Sequence, residues 1–366
     1  MTKNQLIRTI AFLLVVSVLL VTLCDLFEYQ NSYISEKIET YQDLPKNTVD
    51  GVVIGTSGID RFWITPKAYD EYGMTVYPLT SDALPVWMVL PLLKEATKRQ
   101  DPKLVVIDMR PLINGKKDTS LKFNVPSRRI IDGLDFFSFT RFEAINNTLE
   151  ARKAHKPKSE RFDPSYFLSF IRFHNKWESG DLTFDELKEP KSQTLGFLLH
   201  NPISVTRRKV KVIVEEEKTD EKIPMYSVTE GYLNELFEYL KKQDYQVLFL
   251  DTAHYHSPEE SKSLNTLCEV LDKEGFDYYC CTTAEGNLDE ATDFYNNGHV
   301  NYYGAEKFTT WFSAYLNTHY DLPDRREDKK CDKDWKGVYD YIRSSIAEYE
   351  AELQKQKAEK KAQKAQ

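Results

Sequence analysis

Three short runs of unbroken apolar character set the strongest limit on the fold: Val52-Val53-Ile54, Leu104-Val105-Val106-Ile107 and Val247-Leu248-Phe249-Leu250. Each is too short for an ordinary helix and lacks the alternation of a strand with one wet face, so each reads as a strand covered on both sides. Strands of that kind belong to parallel sheets, whose neighbours are joined by helical crossovers. The spacers supply them. Helices are expected at about 66–72, stopped by Gly73, and at 84–99, 232–242, 258–275 and 304–316, with further strands at 74–77 and 276–281. The expectation is an α/β three-layer sandwich around a mainly parallel five-stranded sheet. No internal repeat is present, and residues 113–225 break the rhythm with an aromatic-rich, basic stretch that reads as an insertion or cap over the carboxyl edge.

The amino terminus obeys a different rule. From Thr9 to Cys24 the chain carries no charge, and Leu6 and Ile7 extend the apolar run when Arg8 reaches back to the interface. Lys3 and Arg8 precede the run while Asp25 and Glu28 follow it, which places the amino terminus in the cytoplasm and the body outside. Leu23, Cys24, Asp25 and Leu26 offer no small-residue cleavage site, so a retained anchor is favoured over a signal peptide. The resulting organisation is a cytoplasmic tip and transmembrane helix at 1–25, a polar stalk at 26–49, an α/β domain at 50–320 and a helical or disordered charged tail at 321–366. The expected location is the cell membrane, single-pass, with the body extracytoplasmic.

Composition removes several function classes. A formal net charge of −8 without a clustered cationic face gives no footprint for nucleic acid. The five cysteines show no C-x-x-C pair or Cys/His ligand spacing, so zinc is not expected, and no cofactor is implied.

Two segments carry chemistry. The first strand runs into Gly55-Thr56-Ser57-Gly58, at the sheet edge where parallel sheets bind ligands. If Ser57 opens a helix, its own N–H and that of Gly58 suit an oxyanion; otherwise Ser57 is a helix cap. The second segment, DFYNNGHVNYYG, holds His299 in a loop before the last helix of the domain, with Asp293 six positions earlier. An imidazole that takes a hydroxyl proton and an acid that orients the ring are what an activated serine requires. Arg110, after the third strand, is a candidate for an oxyanion or an anionic substrate group, with a salt bridge to Asp108 as its alternative. His254, beside Asp251 and His256 after the fourth strand, is a candidate substrate contact, with metal ligation less favoured. His174, Asn175 and Trp177 are placed in the insertion as a candidate sugar groove, with packing the default for Trp177.

Together VVIGTSGIDRFWITPKAYDEYGMTVYPLTS, PKLVVIDMRPL, RFHNKWESGDLTFDELKE and DFYNNGHVNYYGAEKFT resemble the SGNH/GDSL hydrolase superfamily. More narrowly, they resemble the anchored extracytoplasmic proteins that work with membrane-bound O-acyltransferases, relatives of the teichoic-acid D-alanyl transfer and alginate acetylation proteins. The resemblance implies Ser57 as nucleophile, His299 as base and Asp293 as acid, with Gly58, Arg110, His254 and Asn301 touching substrate. The chain departs from the superfamily in three places: its closing block is usually D-x-x-H, where position 296 here is asparagine, no G-x-N-D block exists, and the residue after Ser57 is glycine where many relatives carry a polar residue. The implied function is serine-dependent O-acyl transfer, acetyl or D-alanyl, to a cell-surface glycopolymer, with a membrane-bound O-acyltransferase as partner. An esterase with the same triad and a non-catalytic adaptor are the alternatives.

Overall fold

The computed structural model describes residues 1–27, 33–113, 124–155, 163–175, 178, 192–199, 204–208, 210–212 and 219–364. Five strands form one parallel sheet: β1 (Gly51–Thr56), β2 (Val76–Ser81), β3 (Leu104–Asp108), β4 (Gln246–Asp251) and β5 (Asp277–Cys280). Their order is β2-β1-β3-β4-β5, so the winding reverses between β1 and β3. Two neighbouring crossovers leave that point on opposite faces and open a crevice at the carboxyl ends of β1 and β3.

Alternation along the strands builds two cores. Val52, Ile54, Val105, Ile107 and Phe249 face one way, against α2 (Tyr33–Asp43), α5 (Val86–Ala96), α10 (Ser227–Leu240) and α11 (Pro258–Glu274). Val53, Val106, Leu248 and Leu250 face the other, against α4 (Thr65–Tyr72), α12 (Tyr302–His319) and α14 (Val338–Lys364). This is the expected three-layer arrangement. Between β1 and α4 lies the short α3 (Ser57–Asp60), and after β3 comes α6 (Arg110–Ile113). The inserted helices α7 (Asn124–Gly133) and α8 (Phe139–His155) pack on α2 and α5, followed by the short α9 (Ser169–Phe173). Gly73 ends α4 with φ 72°, a left-handed cap that glycine adopts without strain.

Three segments differ from expectation. The second strand is Val76–Ser81 rather than 74–77. Pro78 lies inside it, and an edge strand accepts a residue that cannot donate to a ladder. The segment expected as a stalk contains α2, whose Ile34, Ile38 and Tyr41 join the first core. Three of its polar residues, Ser35, Lys37 and Thr40, are buried too: Lys37 forms an ion pair with the fully buried Asp60 and donates to Thr80 Oγ1 at 2.7 Å. The tail is likewise part of the body at its start, since Tyr339, Ile342 and Ile346 of α14 enter the second core after α13 (Lys329–Trp335).

The amino-terminal helix α1 (Lys3–Leu26) is long and apolar enough to cross a membrane, and its apolar window is not buried by the body. Only its end docks. Cys24 and Phe27 are buried, and the Cys24 carbonyl accepts the Ser169 hydroxyl at 2.6 Å.

Replacing Lys37 with methionine strands the Asp60 carboxylate in the core, which should cost about 3–5 kcal/mol. Denaturant unfolding of the detergent-solubilised chain, followed by circular dichroism, measures this. Lys37→Met/Asp60→Leu should regain most of the loss, and a single-variant cost below about 1 kcal/mol would contradict the assignment.

Candidate active site

The site begins with a carboxylate at the reversal point of the sheet. Asp108, the last residue of β3, is fully buried. Its Oδ2 accepts the Thr56 N–H at 2.8 Å and the Thr56 hydroxyl at 2.6 Å, while Oδ1 accepts the Arg110 N–H at 3.1 Å. One side chain therefore holds the chain on both sides of the crevice. Gly55 permits the approach, because a Cβ there would lie 2.6 Å from the Asp108 Cβ.

Thr56 is the N-cap of α3, accepting the Gly58 N–H on its Oγ1 at 3.1 Å. The capping role open to Ser57 thus falls to its neighbour. The same bond uses the Gly58 N–H that was a candidate oxyanion donor. Ser57 Oγ instead lies 2.8 Å from His299 Nε2.

The tautomer of His299 follows from its other nitrogen. Nδ1 lies 2.9 Å from Asn296 Oδ1, and the Gly298 N–H donates to that same oxygen at 2.8 Å. A backbone N–H can only donate, so the shared Asn296 atom is the carbonyl oxygen and Nδ1 must carry the ring proton. Nε2 then offers its lone pair to the Ser57 hydroxyl. Burial, and then the charges of Arg110 and Arg61, hold the His299 pKa down to about 3, so the ring is a neutral acceptor at physiological pH.

The remaining expected residues take distinct places. Asp293 is buried but does not hold the ring, which is a correction to its expected part. Its carboxylate accepts Lys307 Nζ at 2.6 Å, the Asp289 N–H at 2.8 Å and the Thr292 hydroxyl at 3.1 Å, and so braces the loop before His299. Asn301 is also buried, and its side chain caps α12: Oδ1 accepts the N–H groups of Tyr303 and Gly304, and Nδ2 donates to Thr292 O at 2.7 Å. Gly58 lets the Arg110 guanidinium lie against it, since a Cβ there would come 2.6 Å from Arg110 Cζ. Arg110 Nη2 donates to Thr252 Oγ1 at 3.1 Å, tying the crevice to the loop after β4. Tyr255 N–H in that loop donates to Asn297 O at 2.8 Å, which brings His254 and His256 beside the His299 turn. His174 lies apart, on the turn ending α9, with Nδ1 bonded to Ile171 O; Trp177 falls outside the described residues.

Three contributors escaped the sequence reading: Asp108 as a buried tie, Arg61 as a second positive charge near the ring, and Asn296 as the group that orients it. Only Asn296 had a usable signal, its place three residues before the histidine. Comparison with known proteins finds no matching family model and no matching curated relative. The architecture is compatible with hydrolase-like enzymes in general.

Ring-nitrogen NMR of the full chain in detergent tests the electrostatics. His299 should show the Nδ1-protonated neutral ring at neutral pH and become charged only as pH falls toward about 3. Arg110→Met removes a neighbouring charge and should raise that midpoint. A wild-type midpoint near the ordinary value of about 6.5 would contradict the assignment.

Proposed function

We propose that the chain is a membrane-anchored, extracytoplasmic serine O-acyltransferase that modifies a cell-surface glycopolymer. The observation that carries this reading is the 2.8 Å contact between Ser57 Oγ and a neutral His299 Nε2 at the reversal point of a parallel sheet. In the first half-reaction Ser57 Oγ bonds to the acyl carbon of the donor as its proton passes to His299. The donor's leaving group departs with that proton. In the second, His299 takes the proton of a glycan hydroxyl, the glycan oxygen bonds to the acyl carbon, and the proton returns to Ser57. Acetyl and D-alanyl groups both fit this scheme. Asn296 fixes the ring tautomer without adding a negative charge, while Arg110 and Arg61 supply positive potential for an oxyanion or an anionic acceptor. The fold and the histidine turn agree with the SGNH-like resemblance, with Asn296 standing where that superfamily's closing acid would be.

Transfer is favoured over hydrolysis by α1. A tethered enzyme meets a membrane-bound acyl donor at high effective concentration, which suits a membrane-bound O-acyltransferase as partner. Ile171, on the helix to which the end of α1 is bonded, is exposed, and so is Phe142, whose ring lies 6.1 Å from that of Phe167 just before this helix.

Envelope preparations supplied with labelled acyl donor test the reading. Ser57→Ala and His299→Ala should each lower glycan labelling by at least about a thousandfold at unchanged protein level. Asp293→Asn should cost far less, since its carboxylate braces a loop. Label released to water in place of glycan would favour the esterase, and full labelling in Ser57→Ala would leave only an adaptor role.

A further inference from the structure

Beside the Ser57 and His299 pair lies a second cluster that takes no part in the proton transfers of the acyl-transfer scheme. Asp251 ends β4, and His254 and His256 follow in the loop that is bonded to the His299 turn. One ligand atom from each of the three lies within 4.8 Å of the others. The Asp251 carboxylate is 1% exposed, yet its Oδ1 is buried with no hydrogen-bond partner, and so is His256 Nε2. Leaving such atoms unsatisfied costs several kcal/mol relative to water, about 1–3 for each group. Asp251 Oδ2 stands 3.2 Å from His256 Nε2, and Oδ1 stands 3.6 Å from His254 Nδ1. Of the two nitrogens, His254 Nδ1 is bonded to the Thr252 carbonyl oxygen, which leaves His256 Nε2 and Asp251 Oδ1 as the atoms without a hydrogen bond.

We propose that Asp251, His254 and His256 form a binding site for a divalent transition metal of the zinc class. Two imidazoles and one carboxylate are a donor set that such ions take, and three protein ligands leave a position open for water or an anionic oxygen. His254 is already held for the task. Its Nδ1 lies 2.6 Å from the Thr252 carbonyl oxygen, a bond that only a protonated Nδ1 can donate, so Nε2 keeps the lone pair that a metal requires. The cation must also tolerate Arg110. Asp251 itself, Asp108 and Glu260 are the acids whose charges act on that guanidinium and offset it. A metal at this position and Arg110 would together suit an acceptor that carries phosphate or carboxylate oxygens. The absence of cysteine spacing had pointed away from zinc, but it bears only on thiolate sites. Here the ligands come from one strand end and the loop after it.

The test reads metal binding and not acyl transfer, so its failure leaves the Ser57 reading standing. The full chain in detergent is stripped with a chelator and titrated with Co²⁺, whose visible ligand-field bands report the donor set, and Zn²⁺ is then used to displace it. The expected result is one equivalent of Co²⁺, bleached by Zn²⁺, with affinity lowered by at least about a hundredfold in Asp251→Asn and His256→Gln, beyond the loss typical of outer-shell changes. Circular dichroism and thermal unfolding of each variant check that the fold persists. No stoichiometric Co²⁺ binding by the wild-type chain, or full binding by a folded Asp251→Asn/His256→Gln variant, would overturn the proposal. In either case Asp251 would serve only as an acid beside its two histidines.

Discussion

The buried carboxylate of Asp108 is the interaction on which the rest of the site depends. It closes the ends of β1 and β3 with three hydrogen bonds at the point where the sheet reverses its winding. Its hold on Thr56 frees Ser57 from capping, and its hold on the Arg110 backbone starts the turn that carries the guanidinium across the crevice. Burial pushes the Asp108 carboxyl pKa up, and the charge of Arg110 together with the bonds from Thr56 and the Arg110 N–H offsets part of that cost. Gly55 is the counterpart in the sequence, since any larger residue would push Asp108 away from Thr56.

The electrostatics of the histidine follow from this arrangement. In the familiar serine triad a carboxylate both orients the ring and stabilises its charged form. Asn296 does only the first here, and its amide is held in the useful orientation by the Gly298 N–H. With Arg110 and Arg61 nearby, the site disfavours a charged imidazole and favours negative charge on the reacting group. The low pKa of His299 weakens it as a base, while the same cations lower the energy of an oxyanion. This distribution fits a substrate that brings its own negative charge.

Much of the fold was legible because parallel strands buried on both faces cannot hide: β1, β3 and β4 are the apolar runs of the sequence almost residue for residue. The misread segments have separate physical origins. In α2 the residues that mark a solvated stalk, Ser35, Lys37 and Thr40, are buried, and Lys37 finds its acid, Asp60, in α3. Pairing across the fold leaves no local trace. In α14 the apolar positions Tyr339, Ile342 and Ile346 sit at helical spacing but are diluted by the charged end that follows. At the site, the approach of Ser57 to His299 was legible because strand end and closing helix fix where each must lie. The role of Asp293 was not, because composition reveals that an acid is close without telling whether it faces the ring or Lys307.

Whether Ser57 is a nucleophile activated by His299 is answered by covalent labelling of the full chain with a fluorophosphonate probe. The expected result is one adduct per chain, located at Ser57 by peptide mass, absent in Ser57→Ala and formed at least about a hundredfold more slowly in His299→Ala. A wild-type chain that takes no label, or a His299→Ala variant labelled as fast as wild type, would contradict it.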